Sequence, residues 1–98
     1  MKLLTKTILS KLPNIGEQSH KELSEIILYA KFFTAWTHWT WFVSEYDPIE
    51  KVFFGYVQGF ENEWGYFSLE ELESVKGPFN MRVERDRFFE PIKFIDLK

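Results

Sequence analysis

Three aromatic-rich segments separated by turn sequences occupy residues 39 to 68 and constrain the possible fold more than any other feature. The segments read "WTWFVSEY", "VFFGYVQGF" and "YFSL", and the turns between them read "DPIEK" and "ENEWG". Alternation along a strand places Trp39, Trp41, Val43 and Glu45 on one face and the intervening residues on the other. Short segments of this kind, joined by turns, predict an antiparallel meander.

A short N-terminal helix is predicted before the meander. Leu4, Ile8 and Leu12 recur at helical spacing, and Pro13 ends the segment because the residue before a proline is pushed out of the helical region.

A second helix is predicted over "LEELESV", directly after the meander. Ser68 lies three residues before Glu71, which is the spacing of a capping box, and Gly77-Pro78 is expected to close the helix.

Further strands are predicted on both sides of these elements. The run "IILYAKFF" indicates a strand from about residue 26 to 33, although its apolar spacing also fits a helix. "MRVERDRFFEPIKF" is expected to be extended, with Pro91 at an edge or at its end. Within the meander, Gly55 and Gly59 indicate a bulge or close packing. The sequence therefore predicts one α+β domain spanning residues 1–98.

Composition excludes several classes of protein. The chain has no cysteine, so it can form neither a disulfide framework nor a thiolate metal site. Its N-terminal segment is interrupted by Lys6 and Lys11, so we expect neither a signal peptide nor a membrane span. The chain is therefore expected to be cytoplasmic and not to associate with membranes.

Charge is distributed unevenly along the chain. The section from Glu45 to Glu73 contains eight carboxylates and one base, Lys51, so its net charge is −7. The rest of the chain carries +4, which gives the whole chain its net charge of −3. The negative sign of that section disfavours binding to phosphates and favours a partner with a basic surface, although solvated turns and one solvated helix are the simpler explanation. The candidate partner-binding acids are Glu45, Asp47, Glu50, Glu61, Glu63, Glu70, Glu71 and Glu73.

No catalytic set or metal site stands out. His20 and His38 are the only histidines, and no helical or ribbon spacing brings them together, so neither a metal nor another cofactor is expected. Ser68 is explained as a helix cap rather than as a nucleophile. The residue pattern consequently favours a protein that is not an enzyme.

One polar segment remains open to two interpretations. Glu84 and Asp86 would share one face of a strand, close enough to share a cation or a proton. Arg82, Arg85 and Arg87 are interleaved with them, so salt bridges are the simpler interpretation. The segment Glu84-Arg85-Asp86 is kept as an alternative polar site.

The tryptophans are expected to divide between core and surface. Trp39 and Trp41 are two residues apart and would pack together on one face of a strand. Trp36 precedes that strand in a loop, so it is the better candidate for an exposed contact residue. It could anchor a protein partner or stack on single-stranded bases.

The runs "KFF", "WTWFVSEYD", "FFGYVQGFENEWGYFSLEELESVKGPF" and "VERDRFFEP" resemble the bacterial domain of unknown function 2958 family. The resemblance extends from about Lys2 to Ile95, with departures at Ala35 and in "NMRVERD". It implies a genetic setting, because members are small proteins typical of plasmids, integrative elements and prophages. It implies no particular activity.

Two functional hypotheses follow. The first is a non-enzymatic interaction protein of a mobile element that inhibits a host defence system, CRISPR or restriction, by presenting carboxylates to a basic nucleic-acid-binding surface. The second is a nucleic-acid-associated or enzymatic accessory domain centred on Glu84-Arg85-Asp86. A homodimer formed through an uncovered "VFFGYVQGF" strand is also conceivable.

Overall fold

The computed structural model describes residues 2–97 and contains two short α-helices and seven strands. Helix α1 spans Lys6–Lys11 and helix α2 spans Leu69–Ser74. The strands are β1 Ile27–Leu28, β2 Ala30–Phe33, β3 Thr40–Asp47, β4 Val52–Gln58, β5 Asn62–Ser68, β6 Glu84–Arg85 and β7 Ile92–Lys93. Single 3₁₀ turns occur at Leu23–Glu25, Pro78–Asn80 and Phe94–Asp96.

Five of the strands form one antiparallel sheet in the order β5-β4-β3-β2-β6, and β1 and β7 form a separate two-stranded ribbon. Strands β3, β4 and β5 are consecutive neighbours, which confirms the predicted meander and the α+β class. Strand β4 is paired on both sides, so the "VFFGYVQGF" segment is not an uncovered edge and the predicted route to a homodimer is wrong.

A bulge in β3 changes which face its last residues occupy. Val43 pairs with Gly55 and Glu45 pairs with Phe54, so Ser44 is an extra residue in this strand. The predicted strict alternation therefore fails at Glu45, which moves to the face opposite Trp41 and Val43. Tyr46 moves in the other direction and joins the core.

The core lies on one face of the sheet, which we call the inner face. Its fully buried centre is Phe32 against Phe53, whose ring centroids are 5.5 Å apart. Both helices cover this face, because Ile8 of α1 and Leu72 of α2 pack into the same cluster. Buried area of this kind stabilises a domain by about 25 cal/mol per Å² of apolar surface. The core residues are Leu3, Ala30, Phe32, Trp41, Val43, Tyr46, Phe53, Phe67, Leu72 and Val83.

Helix α2 begins as predicted but ends differently. The Ser68 side chain accepts a hydrogen bond from the Glu71 backbone N–H at 2.9 Å, which confirms the N-cap. The helix ends at Ser74, with Val75 as its C-cap. Gly77 is extended rather than left-handed, so the prediction that it closes the helix is wrong.

The strand predicted from residue 26 to 33 is interrupted. Tyr29 separates β1 from β2, and the two pieces pair with different partners, β7 and β3. The interruption lets one segment serve both the main sheet and the small ribbon.

Candidate functional site

The order of strands places six of the fifteen carboxylates of the chain at one edge of the sheet. Glu61 and Glu63 lie on the β4–β5 hairpin, and Glu70 lies in the first turn of α2, directly after β5. Both groups of carboxylates are exposed. We call this set the acidic edge, and its members are Glu50, Glu61, Glu63, Glu70, Glu71 and Glu73.

One end of the acidic edge is a compact group. A cleft of about 290 Å³ is lined by Glu50, Glu70 and Glu73. Lys51, the one base in the sequence from Glu45 to Glu73, lines the same cleft. The side chains of Glu70 and Glu71 also lie in the first turn of α2, where negative charge is favourable.

Two of the predicted partner-binding acids have structural roles instead. Glu45 is only 5% exposed, and its two carboxylate oxygens accept hydrogen bonds from the backbone N–H groups of Gly16 and Gln18. Asp47 accepts hydrogen bonds from Ile49 N at 2.9 Å and Glu50 N at 3.2 Å, so it shapes the β3–β4 turn. The expectation that Glu45 belongs to an exposed face is therefore wrong.

The opposite edge of the sheet carries the alternative polar site. Glu84 and Arg85 form β6, and with Asp86 they line an open cleft of about 450 Å³. Trp39 and Phe88 contribute aromatic surface to the same cleft. The remaining lining residues are Lys31, Phe33, Thr34, Thr37, Thr40 and Arg87.

Two of the polar side chains in this cleft hold the fold together. Arg85 donates hydrogen bonds from its guanidinium to the backbone oxygens of Lys2 and Leu3, which ties the N-terminal segment to β6. Asp86 forms an ion pair with Lys31 at 3.8 Å and accepts a hydrogen bond from Phe88 N at 2.9 Å. The partner of Asp86 in this ion pair is a lysine on the neighbouring strand β2, whereas the sequence predicted pairing with the interleaved arginines.

The three clustered tryptophans line one apolar cleft of about 310 Å³. Trp41 is 8% exposed, and its ring centroid lies 5.7 Å from that of Trp39, which confirms the predicted packing of this pair. Trp36 is half-buried rather than exposed, because its indole lies against Gly77, where an added Cβ would approach the ring to 2.3 Å. The other residues lining this cleft are Thr34, Thr37 and Val75.

Two exposed phenylalanines, one in the β4–β5 turn and one in the turn after α2, were not singled out from the sequence. Phe60 is 93% exposed at the β4–β5 turn, and its ring contacts Trp39 at 5.3 Å between centroids. Phe79 is 97% exposed and has a left-handed backbone with φ of 56°, which is unusual for a bulky residue. Phenylalanine is usually a core residue, so the sequence alone does not predict that these two rings are exposed. Their exposure follows from their positions in turns.

A second aromatic cluster lies on the outer face of the sheet and was also missed. The ring centroids of Tyr66 and Phe54 are 4.9 Å apart, and those of Trp64 and Tyr56 are 5.5 Å apart. The ring of Phe94 packs against both Tyr56 and Trp64, with centroid distances of 4.8 Å and 5.0 Å. Alternation in "FFGYVQ" and "EWGYFS" could have placed four of these rings on one face.

Residues 2–97 contain neither a metal-binding cluster of side chains nor a membrane-spanning helix. No group of three or more His, Asp or Glu residues in that range could hold a metal ion. Likewise, no helix in the described part of the chain is long and apolar enough to cross a membrane.

These surfaces define the chain as a small α+β domain built on an antiparallel meander with an acidic edge. The chain belongs to the family described as protein of unknown function (DUF2958), whose model matches residues 3–96, nearly the whole chain. No curated protein and no solved structure matches it significantly.

Proposed function

We propose that this protein is a non-enzymatic interaction protein of a mobile genetic element that acts in the host cytoplasm. Its target is a basic, nucleic-acid-binding surface of a host defence complex of the CRISPR or restriction type. The observation that carries the proposal is the acidic edge, where six exposed carboxylates lie near two bases, Lys51 in the same cleft as Glu50, and Arg82, whose guanidinium donates to the Glu73 backbone oxygen at 3.2 Å.

The dimensions of the acidic edge suit a surface that normally holds phosphates. A strand rises by about 3.3 Å per residue, so Glu63 and Ser68, the N-cap of α2, are separated by roughly 17 Å along β5. Phosphates of one DNA strand follow one another every 3.4 Å of helix axis, so this length corresponds to about five of them. Carboxylates spread over such a length can occupy part of a basic groove and exclude nucleic acid from it.

Aromatic side chains at one end of the acidic edge can supply contact area that charge alone does not. Phe60 immediately precedes Glu61, and it stacks edge-on against Trp39. Trp36 opens onto the neighbouring apolar cleft. Aromatic anchors of this kind dominate the binding energy of many protein interfaces, whereas rim charges mainly increase the rate of association.

The test is a pull-down from a nuclease-treated lysate of the native host with wild-type protein and two charge-reversed variants. The variant E61K/E63K/E70K reverses the acidic edge. The control E17K/E22K/E90K reverses three exposed glutamates outside it and changes the net charge of −3 by the same amount. Both variants therefore have equal total charge but differ in its placement.

The proposal predicts that one defence complex is enriched with wild type and the control but lost with E61K/E63K/E70K. The purified complex should then lose DNA binding when wild-type protein is added. Equal enrichment with both variants would remove the acidic edge from the interaction. Loss of the complex upon nuclease treatment would instead show that nucleic acid connects the two.

A second candidate function is an accessory domain that binds nucleic acid at the cleft around Glu84-Arg85-Asp86. It is favoured by the joint lining of that cleft by Arg87, Trp39 and Phe88, which could contact a phosphate and a base. A fluorescent single-stranded oligonucleotide tests it, since this hypothesis predicts binding that weakens with salt and with Arg87→Ala. No binding at low salt would rule it out.

A further inference from the structure

Strand β5 is an edge strand whose outward backbone groups have no partner in the sheet. Gly59 N donates to Glu61 O at 3.0 Å, and Leu69 N donates to Lys51 O at 3.0 Å. In an antiparallel ladder these two bonds fix which residues of β5 point their backbone groups towards β4, namely the odd-numbered ones. The N–H and C=O groups of Asn62, Trp64 and Tyr66 consequently point away from the sheet.

Two of the three residues that carry these outward groups are exposed. Asn62 and Tyr66 are exposed, the latter by 67%, and Trp64 is half-buried. No hydrogen bond among residues 2–97 outside the ladder uses their backbone groups. The edge therefore offers a row of donors and acceptors that an added strand could pair with.

The side chains beside this edge form a surface that can hold the alternate side chains of an added strand. Trp64 and Tyr66 lie on the outer face, where they continue the aromatic cluster of Phe54, Tyr56 and Phe94. In strand addition, main-chain hydrogen bonds supply affinity and such side-chain contacts supply specificity.

Charge at both ends of the edge identifies the occupant. Glu61 and Glu63 stand at the start of β5, and Glu70 stands just beyond its end. An extended segment with Lys or Arg at its two ends and apolar residues between them complements this arrangement. A second copy of this chain does not, because antiparallel pairing about Gly65 would bring Glu61 close to Glu70 of the other copy.

We propose that β5 binds a basic, extended segment of the partner by β-strand addition along Asn62, Trp64 and Tyr66. This inference rests on the proposed function and specifies its binding mode, since it replaces a diffuse charged contact with a defined strand register. It also accounts for an edge strand that is left uncovered beside an aromatic surface.

The probe is a short fluorescent peptide with an alternating Val and Thr centre and a Lys-Arg pair at each end. A second peptide has the same centre and Glu pairs at its ends. Binding of both to the full chain is measured by anisotropy, and backbone amide exchange is followed by NMR in the free and bound states. The basic peptide should bind at least about tenfold more tightly than the acidic one.

Proline variants separate strand addition from attraction between charges. Tyr66→Pro removes an outward N–H without removing a bond to β4, and Tyr66→Thr is its matched control because it removes the same ring but keeps the N–H. Asn62→Pro and Asn62→Thr form a second pair at the first position of β5, in case Tyr66→Pro does not fold. Each proline should weaken binding of the basic peptide at least about tenfold relative to its threonine control. Exchange at Trp64 and Tyr66 should also slow when the peptide binds.

The outcomes distinguish this inference from the function on which it rests. If the proline variants bind the basic peptide as tightly as their threonine controls do, while E61K/E63K/E70K binds it weakly, strand addition is wrong and the acidic contact stands. If the prolines weaken binding but charge reversal does not, both the basic occupant and the proposed acidic contact are wrong. If neither peptide binds, or exchange at Trp64 and Tyr66 is unchanged, strand addition at β5 is overturned.

Discussion

Glu45 and Gln18 are joined across 27 positions of the sequence by a hydrogen bond of 2.7 Å from the backbone N–H of Gln18 to the Glu45 carboxylate. The other carboxylate oxygen accepts from Gly16 N at 2.9 Å. The Gln18 side chain in turn donates to the backbone oxygens of Ile27 and Ser44, each at 2.9 Å. This buried network fastens the loop before β1 to the outer face of the sheet.

We expect Glu45→Gln to destabilise the protein by about 1–3 kcal/mol, because an amide NH₂ would face a backbone N–H that needs an acceptor. The change in the free energy of unfolding can be measured by urea denaturation. Glu63→Gln is the control, since Glu63 is exposed and the same chemical change there should have almost no effect. Equal stability of the two variants would contradict the structural role of Glu45.

Gly55 and Gly65 face each other across β4 and β5 but should differ in their tolerance of a side chain. A Cβ at Gly55 would lie 1.8 Å from the backbone oxygen of Phe42, whereas a Cβ at Gly65 would meet nothing within 4 Å. Gly55→Ala should therefore cost roughly 2–3 kcal/mol or more. Gly65→Ala should be neutral or stabilise by about 0.5 kcal/mol. Thermal unfolding of the two variants provides the comparison.

Amide exchange along β5 should alternate in the free protein. The N–H groups of Glu63, Gly65 and Phe67 point to β4 and should exchange slowly. Those of Trp64 and Tyr66 point outward and should exchange faster. Residue-resolved hydrogen exchange by NMR measures this pattern, and uniform protection along the strand would show that the edge is already covered.

Tyr46 should make stability depend on alkaline pH. Burial, followed by the negative charges of Asp47 and Glu73, raises the pKa of Tyr46 above its ordinary value of 10.0. The folded state thus keeps this proton when the unfolded state has lost it, so the free energy of unfolding falls as pH rises above about 10. Tyr46→Phe should show a smaller decline between about pH 9 and pH 11, measured by urea denaturation. Parallel declines in the two proteins would contradict this assignment.

Phe79 should be replaceable with a gain in stability. Phe79 and Asn80 both have positive φ, and Met81 N donates to Pro78 O at 3.0 Å, which closes a tight turn. Because asparagine adopts this conformation more readily, Phe79→Asn should stabilise the fold by about 0.5–1 kcal/mol. Phe88→Asn is the control, since Phe88 is also exposed but has no positive φ. A similar change in melting temperature for both variants would show that backbone conformation is not the cause.

Local sequence signals determined the parts of the fold that depend on neighbouring residues. The meander follows from alternation and turn residues, and the start of α2 follows from Ser68 and Glu71, whose hydrogen bond is formed within one turn. The uneven charge is also a property of the sequence, as is membership of the family, because both depend only on the order of residues.

Tertiary structure decided which of the predicted site residues are available. A single extra residue, Ser44, transfers Glu45 to the other face, where the distant residues Gly16 and Gln18 cover it. Trp36 is partly hidden because Gly77 leaves room for its indole. The strand order makes β5 an edge and β4 an interior strand. These outcomes depend on contacts between residues far apart in the chain, which local periodicity and turn chemistry do not encode.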